Sequence, residues 1–258
     1  MPKSASQAAI QPATQAARFD RLGALRGAAI VWMAAFHFCF DLDHFRFIQA
    51  NFYSDPFWTT QRSCIVSMFL FCAGFGQAIA LQQRRPGEPW LLSSFTRSFW
   101  HRWAQVAGCA VLVTLGSVVM FPKSFITFGV LHGIALALIV MRLSAGLGRW
   151  LWPLGLVALL LPQFIQHPFF DTRWTNWVGL ITVKPITEDY VPVFPWLGVM
   201  WWGLAAGQWV LASRPSWVTG ALPRPLAPLA VLGRWSLSFY MVHQPVLIGA
   251  LALVAAQR

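Results

Sequence analysis

Apolar residues fall in seven blocks along the chain, at about 24–44, 61–81, 99–121, 126–142, 149–165, 191–212 and 235–256, parted by polar or turn-rich stretches. Each is near the ~20 residues with which a helix rising ~1.5 Å per residue crosses a ~30 Å hydrocarbon layer. The expected fold is therefore all-α, a polytopic transmembrane bundle of about seven spans. The fourth and fifth blocks are the shortest, and a partly re-entrant path is open to them. Residues 1–17 have no apolar core of the kind a signal peptide needs and read as a disordered cytosolic tail, leaving 18–258 as one membrane domain. No internal repeat stands out, which weighs against an inverted-repeat transporter.

Composition strengthens this picture. The 258 residues are 57% hydrophobic and 10% charged, with 15 Trp and 21 Phe, whereas soluble domains carry about 25% charged residues. The net charge of +11 has two readings, nucleic-acid binding or orientation in a membrane. No basic stretch alternates with aromatics as a nucleic-acid groove requires, so the second is adopted and no nucleic acid is expected. With the N-terminus in the cytoplasm, the inner set is Lys3, Arg18, Arg21, Arg26, Arg84, Arg85, Arg97, Arg102, Arg142, Arg149, Arg214, Arg224 and Arg234, 13 of the 19 basic residues. Six of the eight acidic residues fall outside: Asp41, Asp43, Asp55, Asp171, Glu188 and Asp189. Orientation follows Lys and Arg, and the acids agree. Cys39, Cys64, Cys72 and Cys109 all sit in apolar segments without a CxxC pair, so they read as packing residues rather than disulfides or zinc ligands.

The first block carries the chemistry. Arg26 stands near its inner end and His37 eleven residues on, about 16 Å along a helix. Asp41 follows His37 by four residues and His44 follows Asp41 by three, a spacing that puts all three on one face. A lone His37 would read as an interfacial packing residue. The His-Asp-His stripe changes that, because ionisable groups within a span are costly and mark function. An acid beside a histidine can hold its ring tautomer and stabilise the imidazolium, as a general base requires.

Asp20-Arg21-Leu22-Gly23-Ala24-Leu25-Arg26-Gly27-Ala28-Ala29-Ile30 through His37, followed by Asp41-Leu42, resembles the opening of membrane-embedded acyltransferases. Met68 to Gly74, Phe128 to Ala135, Phe194 to Gly198 and Gly233 to Pro245 extend the resemblance. It points to bacterial relatives of the heparan-α-glucosaminide N-acetyltransferase catalytic domain. The resemblance implies transfer of an acyl group, usually acetyl, from cytosolic acetyl-CoA to a sugar or glycan acceptor across the membrane. The location it implies is the bacterial inner membrane, in contact with membrane lipid. It makes His37 the catalytic histidine and puts Arg26 on the donor side. The chain is shorter than the lysosomal enzyme, whose proposed histidine lies nearer the place of His44, so both remain open with His37 preferred.

Arg84, Arg85, Arg97 and Arg102 are candidates to hold the phosphates of an acyl-CoA through forked hydrogen bonds, with Arg26 and Arg97 nearest the span ends. Read alone, those arginines equally serve topology. His132 and His243 are packing residues singly, and lining of a donor tunnel in an enzyme. His37 is expected either to deprotonate the acceptor, with Asp41 orienting it, or to form an acyl-imidazole. Trp174, Asn176 and Trp177, in the outer loop 166–190, would suit sugar stacking or interfacial anchoring. His101 and His167 carry no assignment, and the histidine spacing gives no metal site. The competing reading is a small proton-coupled transporter or flippase with His37 and Asp41 as its relay; a non-catalytic scaffold is weaker.

Overall fold

A computed structural model describes residues 19–82 and 93–257; the expected tail 1–17, Arg84 and Arg85 lie outside them. The described residues form helices α1 (Asp20–His44), α2 (Pro56–Gln82), α3 (Arg97–Met120), α4 (Val130–Ser144), α5 (Leu151–Phe164), α6 (Val193–Ser213), the short α7 (Ser216–Thr219), α8 (Ala227–Arg234) and α9 (Ser236–Ala255), with no strand among them. Local chemistry sets several of the ends. The Thr96 side chain accepts from the Phe99 N–H to cap α3, satisfying one of the donors a helix start leaves free. Asp20 in the first turn of α1 and His44 in its last suit the helix dipole.

Five helical stretches are long and apolar enough to cross a membrane: Asp20–His44, Pro56–Gln82, Arg97–Met120, the 35-residue run Val130–Phe164, and Ser236–Ala255. The seven expected blocks each overlap a helix, but the count differs for two physical reasons. The fourth and fifth blocks belong to one run, bent at a 3₁₀ turn over Ala145–Trp150 where Gly148 takes φ 53°. The sixth block is α6, whose 21 residues include Trp196, Trp201, Trp202 and Trp209, which dilute its hydropathy.

α6 is nonetheless the centre of the bundle, packing mainly on α2 and α5, while α1 packs mainly on α8. Lipid supplies no hydrophobic drive between helices, so association depends on close backbone approach at small residues. At Gly74 of α2, an added Cβ would stand 2.1 Å from the carbonyl oxygen of Met200 on α6. At Gly27 of α1, it would stand 2.0 Å from the carbonyl oxygen of Leu229 on α8. Leu70, Met141, Leu151, Met200 and Leu204 fill the main core. By contrast α3 and α9 turn Leu115, Val119, Val246 and Leu253 outward, apolar exposure suited to lipid. Between these two helices, α1 and α2, the bundle is hollow.

Candidate functional site

The hollow is a cavity of about 2460 Å³ whose lining runs from Asp20 and Arg26 at one end of α1 to His44 at the other. The wall follows a single face of α1: Arg26, Met33, His37, Asp41 and His44 all line it, as spacings of three, four and seven require. The end near Arg26 also carries Arg102, Arg142 and Arg234. Arg142 is buried and held in place: its Nε donates to Gln77 at 2.8 Å, its Nη1 to the Ser94 carbonyl at 3.1 Å, and it lies over the Phe99 ring. The opposite end carries Tyr53, Arg62, Lys184, Glu188 and Asp189.

Between the two ends, α1 and α9 bring four polar side chains together. The rings of His37 and His243 meet edge to face with centroids 5.2 Å apart. One helical step further, Gln244 Nε2 donates to Asp41 Oδ1 at 2.8 Å. Asp41 is only 2% exposed and His243 8%. The Tyr240 carbonyl, 2.8 Å from His243 Nδ1, can only accept, so that nitrogen carries a proton and Nε2 of the neutral ring offers a lone pair. His37 Nδ1, Asp41 Oδ2, His243 Nε2 and Gln244 Oε1 are all buried without a hydrogen-bond partner among the described residues. An unmet buried polar atom costs about 1–3 kcal/mol, and the four residues that carry these atoms all line one cavity.

The expected site residues fare differently. His37, Asp41, His44, Arg26, Arg102 and His243 share the cavity wall; Arg97 and His132 do not. His132 instead receives the Gly129 N–H on Nδ1 at 3.3 Å and pairs through Nε2 with Thr114 at 3.2 Å, closing the start of α4 against α3. Asp41 turns its carboxylate to Gln244 rather than to His37. In the loop 166–190, Trp174 is 88% exposed and Asn176 is buried, and neither they nor Trp177 reach the wall. The loop reaches it through Gly179, Ile181 and Lys184 to Tyr190 instead.

Asp189 ties that loop to the site. Its carboxylate accepts the Val130 N–H at the start of α4, 2.7 Å away, and the Tyr240 hydroxyl one turn before His243. Burial raises its pKa, opposed by the Val130 N–H and by Arg62. Burial also lowers that of Lys184, and neighbouring Arg62 lowers it further. Tyr240, Gln244 and Asp189 were not singled out by sequence. The available signal was the polar pair His243-Gln244 within an otherwise apolar run.

Residues 18–245 match the family described as heparan-alpha-glucosaminide N-acetyltransferase, catalytic. The chain belongs to this family. Membership makes it a membrane acetyltransferase-type protein and implies transferase activity, in keeping with five helices apolar enough to span a bilayer. No curated protein and no solved structure matches it. Among the described residues no group of three or more His, Cys, Asp or Glu side chains is placed to hold a metal ion.

Proposed function

We propose that this protein transfers an acetyl group from cytosolic acetyl-CoA to a sugar or glycan acceptor on the opposite side of the bacterial inner membrane. The observation that carries the reading is the cavity, with four arginines at one end, two facing histidines between the ends, and an outer loop at the other. The proposed topology is about seven spans, with α4, α5 and α6 all crossing and the N-terminus in the cytoplasm. The arginine-rich end then faces cytosolic donor. Arg26, Arg102 and Arg234 would hold the CoA phosphates, for which the guanidinium fork is suited, and the pantetheine arm would carry the thioester inward to His37.

His37 is the proposed base in preference to His44. It is flanked by His243 and has an open ring nitrogen, whereas His44 is exposed at the far mouth. The acceptor's lone pair attacks the thioester carbonyl while its proton passes to His37. The carbon–sulfur bond then breaks, and the thiolate leaves and takes a proton to give CoA. Asp41 serves the site by a contact other than the dyad with His37.

The test is purified protein in nanodiscs with radiolabelled acetyl-CoA and a panel of amino sugars and glycans. CoA release with a labelled product is expected from wild type and should fall by about 10²–10⁴-fold in His37→Ala, the usual contribution of a general base. Protein that neither binds nor turns over acetyl-CoA, yet moves a solute with a pH gradient, would establish the transporter instead.

A further inference from the structure

Resting on the acetyltransferase reading, the geometry points to Asp189 and Tyr240 as positioning residues. They form a brace through which the loop at the mouth opposite the arginines sets the orientation of His243 and, through it, of His37. Each link is a direct contact. The Glu188 N–H donates to the Ser124 carbonyl at 3.0 Å and the Thr187 hydroxyl to the Phe125 carbonyl at 3.0 Å, which seats the loop on the residues before α4. From that seat the Asp189 carboxylate accepts the Val130 N–H at 2.7 Å and the Tyr240 hydroxyl. Tyr240 then meets His243 twice: its carbonyl accepts from Nδ1 at 2.8 Å, and the two ring centroids stand 5.7 Å apart. The His243 ring in turn meets that of His37 at 5.2 Å.

A histidine ring turns easily about its last torsion, whose wells are broad and roughly two-fold, so its neighbours choose its angle. For His243 those neighbours include the Phe239 ring, stacked at 5.8 Å and 10°, and Tyr240. Its Nε2 has no hydrogen-bond partner among the described residues and so fixes nothing. The Tyr240 ring is tethered by its hydroxyl, and the tether ends on a loop rather than on another span. A tie needed for packing alone would cost less as an apolar contact, because taking a carboxylate out of water carries a desolvation penalty. The carboxylate adds direction: a hydroxyl from α9 and an N–H from α4 reach it together. Glu188, Asp189 and Tyr190 line the same cavity as Tyr240 and His243, so an acceptor entering at that mouth meets the loop that carries the brace. The seating of the loop therefore bears on the histidine pair without touching either ring.

The experiment measures CoA release with the panel of amino sugars and glycans, separating kcat from KM for acetyl-CoA, with thermal unfolding alongside. Tyr240→Phe removes one oxygen and keeps the ring. Its kcat should fall at least about tenfold, towards the ~10²-fold that a small misplacement costs, while KM for acetyl-CoA holds. Asp189→Leu should do the same, and the double variant should lose no more than the worse single one, because both cut one link. Gly129→Ala strikes the brace from the start of α4 without removing any of its groups. The added Cβ would stand 2.2 Å from Asp189 Oδ2, so the carboxylate must swing away and kcat should fall alike, which keeps the idea testable if the other variants fold poorly. The control is Thr182→Val, which breaks a second hydroxyl–carboxylate pair of the same loop, Thr182 with Asp171, away from the cavity wall; it should lower the melting temperature and leave kcat alone. Wild-type kcat in Tyr240→Phe and Gly129→Ala, losses that multiply in the double variant, or an equal loss in Thr182→Val would overturn the brace and leave the acetyltransferase standing. A wild type that releases no CoA with any acceptor would remove the acetyltransferase reading and the brace with it.

Discussion

Gly74→Ala adds one methyl group where α2 crosses α6, and the structure fixes how badly it fits. The new Cβ would lie 2.1 Å from the Met200 carbonyl oxygen and 3.0 Å from the Leu204 nitrogen, both backbone atoms that no rotamer change can move. Ordinary contact begins at 3.4 Å, so the two helices must part by about 1.3 Å at this point. Forcing a methylene into a packed core costs about 1–3 kcal/mol. The displaced helix also carries Ala73, Gly76 and Gln77 of the cavity wall. The matched control is Gly108→Ala on α3, where an added Cβ meets nothing within 4 Å and should gain up to about 1 kcal/mol of helix propensity. Thermal unfolding in nanodiscs should move in opposite directions for the two variants, with Gly74→Ala also losing acetyl-CoA turnover. Equal melting temperatures would refute the close α2–α6 crossing, and with it the placement of that wall.

Three further expectations follow from the site. His44→Ala should keep acetyl transfer within about tenfold of wild type while His37→Ala loses about 10²–10⁴-fold; equal losses in a CoA-release assay would remove the priority of His37. Arg102→Gln should raise KM for acetyl-CoA about tenfold or more, whereas Arg214→Gln, off the cavity wall, should not; equal KM values would remove the donor end from the arginine cluster. Asp189→Asn tests the buried carboxyl at the loop: its pKa lies above the usual 3.8, so the folded protein binds this proton more tightly than the unfolded chain. Stability should therefore fall as pH rises from about 4 through the raised value and level off above it, and Asp189→Asn should flatten that slope in pH-dependent melting; an unchanged slope would refute it.

The parts of this fold that sequence made legible were those written along one helix. α1 is the clearest case: its apolar length gave the span, and the spacing of Arg26, His37, Asp41 and His44 gave the face, which the cavity lining follows. What crosses between helices was not legible. The spacing that sets Asp41 beside His37 on α1 cannot report that Gln244, 203 residues away, takes the carboxylate instead. His132 illustrates the converse, since a polar residue in an apolar run reads alike whether it lines a tunnel or caps its own helix. Here the Gly129 N–H and Thr114 take both its nitrogens. The bend at Gly148 escaped notice because glycine permits left-handed backbone without requiring it.

The contrast between the polar groups of the bundle separates those whose hydrogen bonds hold it together from those that keep an unpartnered atom. Arg142 is as deeply buried as the site residues, yet Gln77, the Ser94 carbonyl and the Phe99 ring surround its guanidinium. Asp189, likewise, is closed by the Val130 N–H and the Tyr240 hydroxyl. Both link elements that would otherwise meet only through apolar contact, and both line the cavity near its ends. Between the ends the pattern reverses: His37, Asp41, His243 and Gln244 each keep one buried atom unmatched. Packing alone could relieve that cost by apolar substitution. Gln244 and Asp41 hold each other, the Tyr240 carbonyl fixes His243, and the His243 ring meets that of His37, while all four residues line a common cavity, so the proposed site is pre-positioned by its own neighbours.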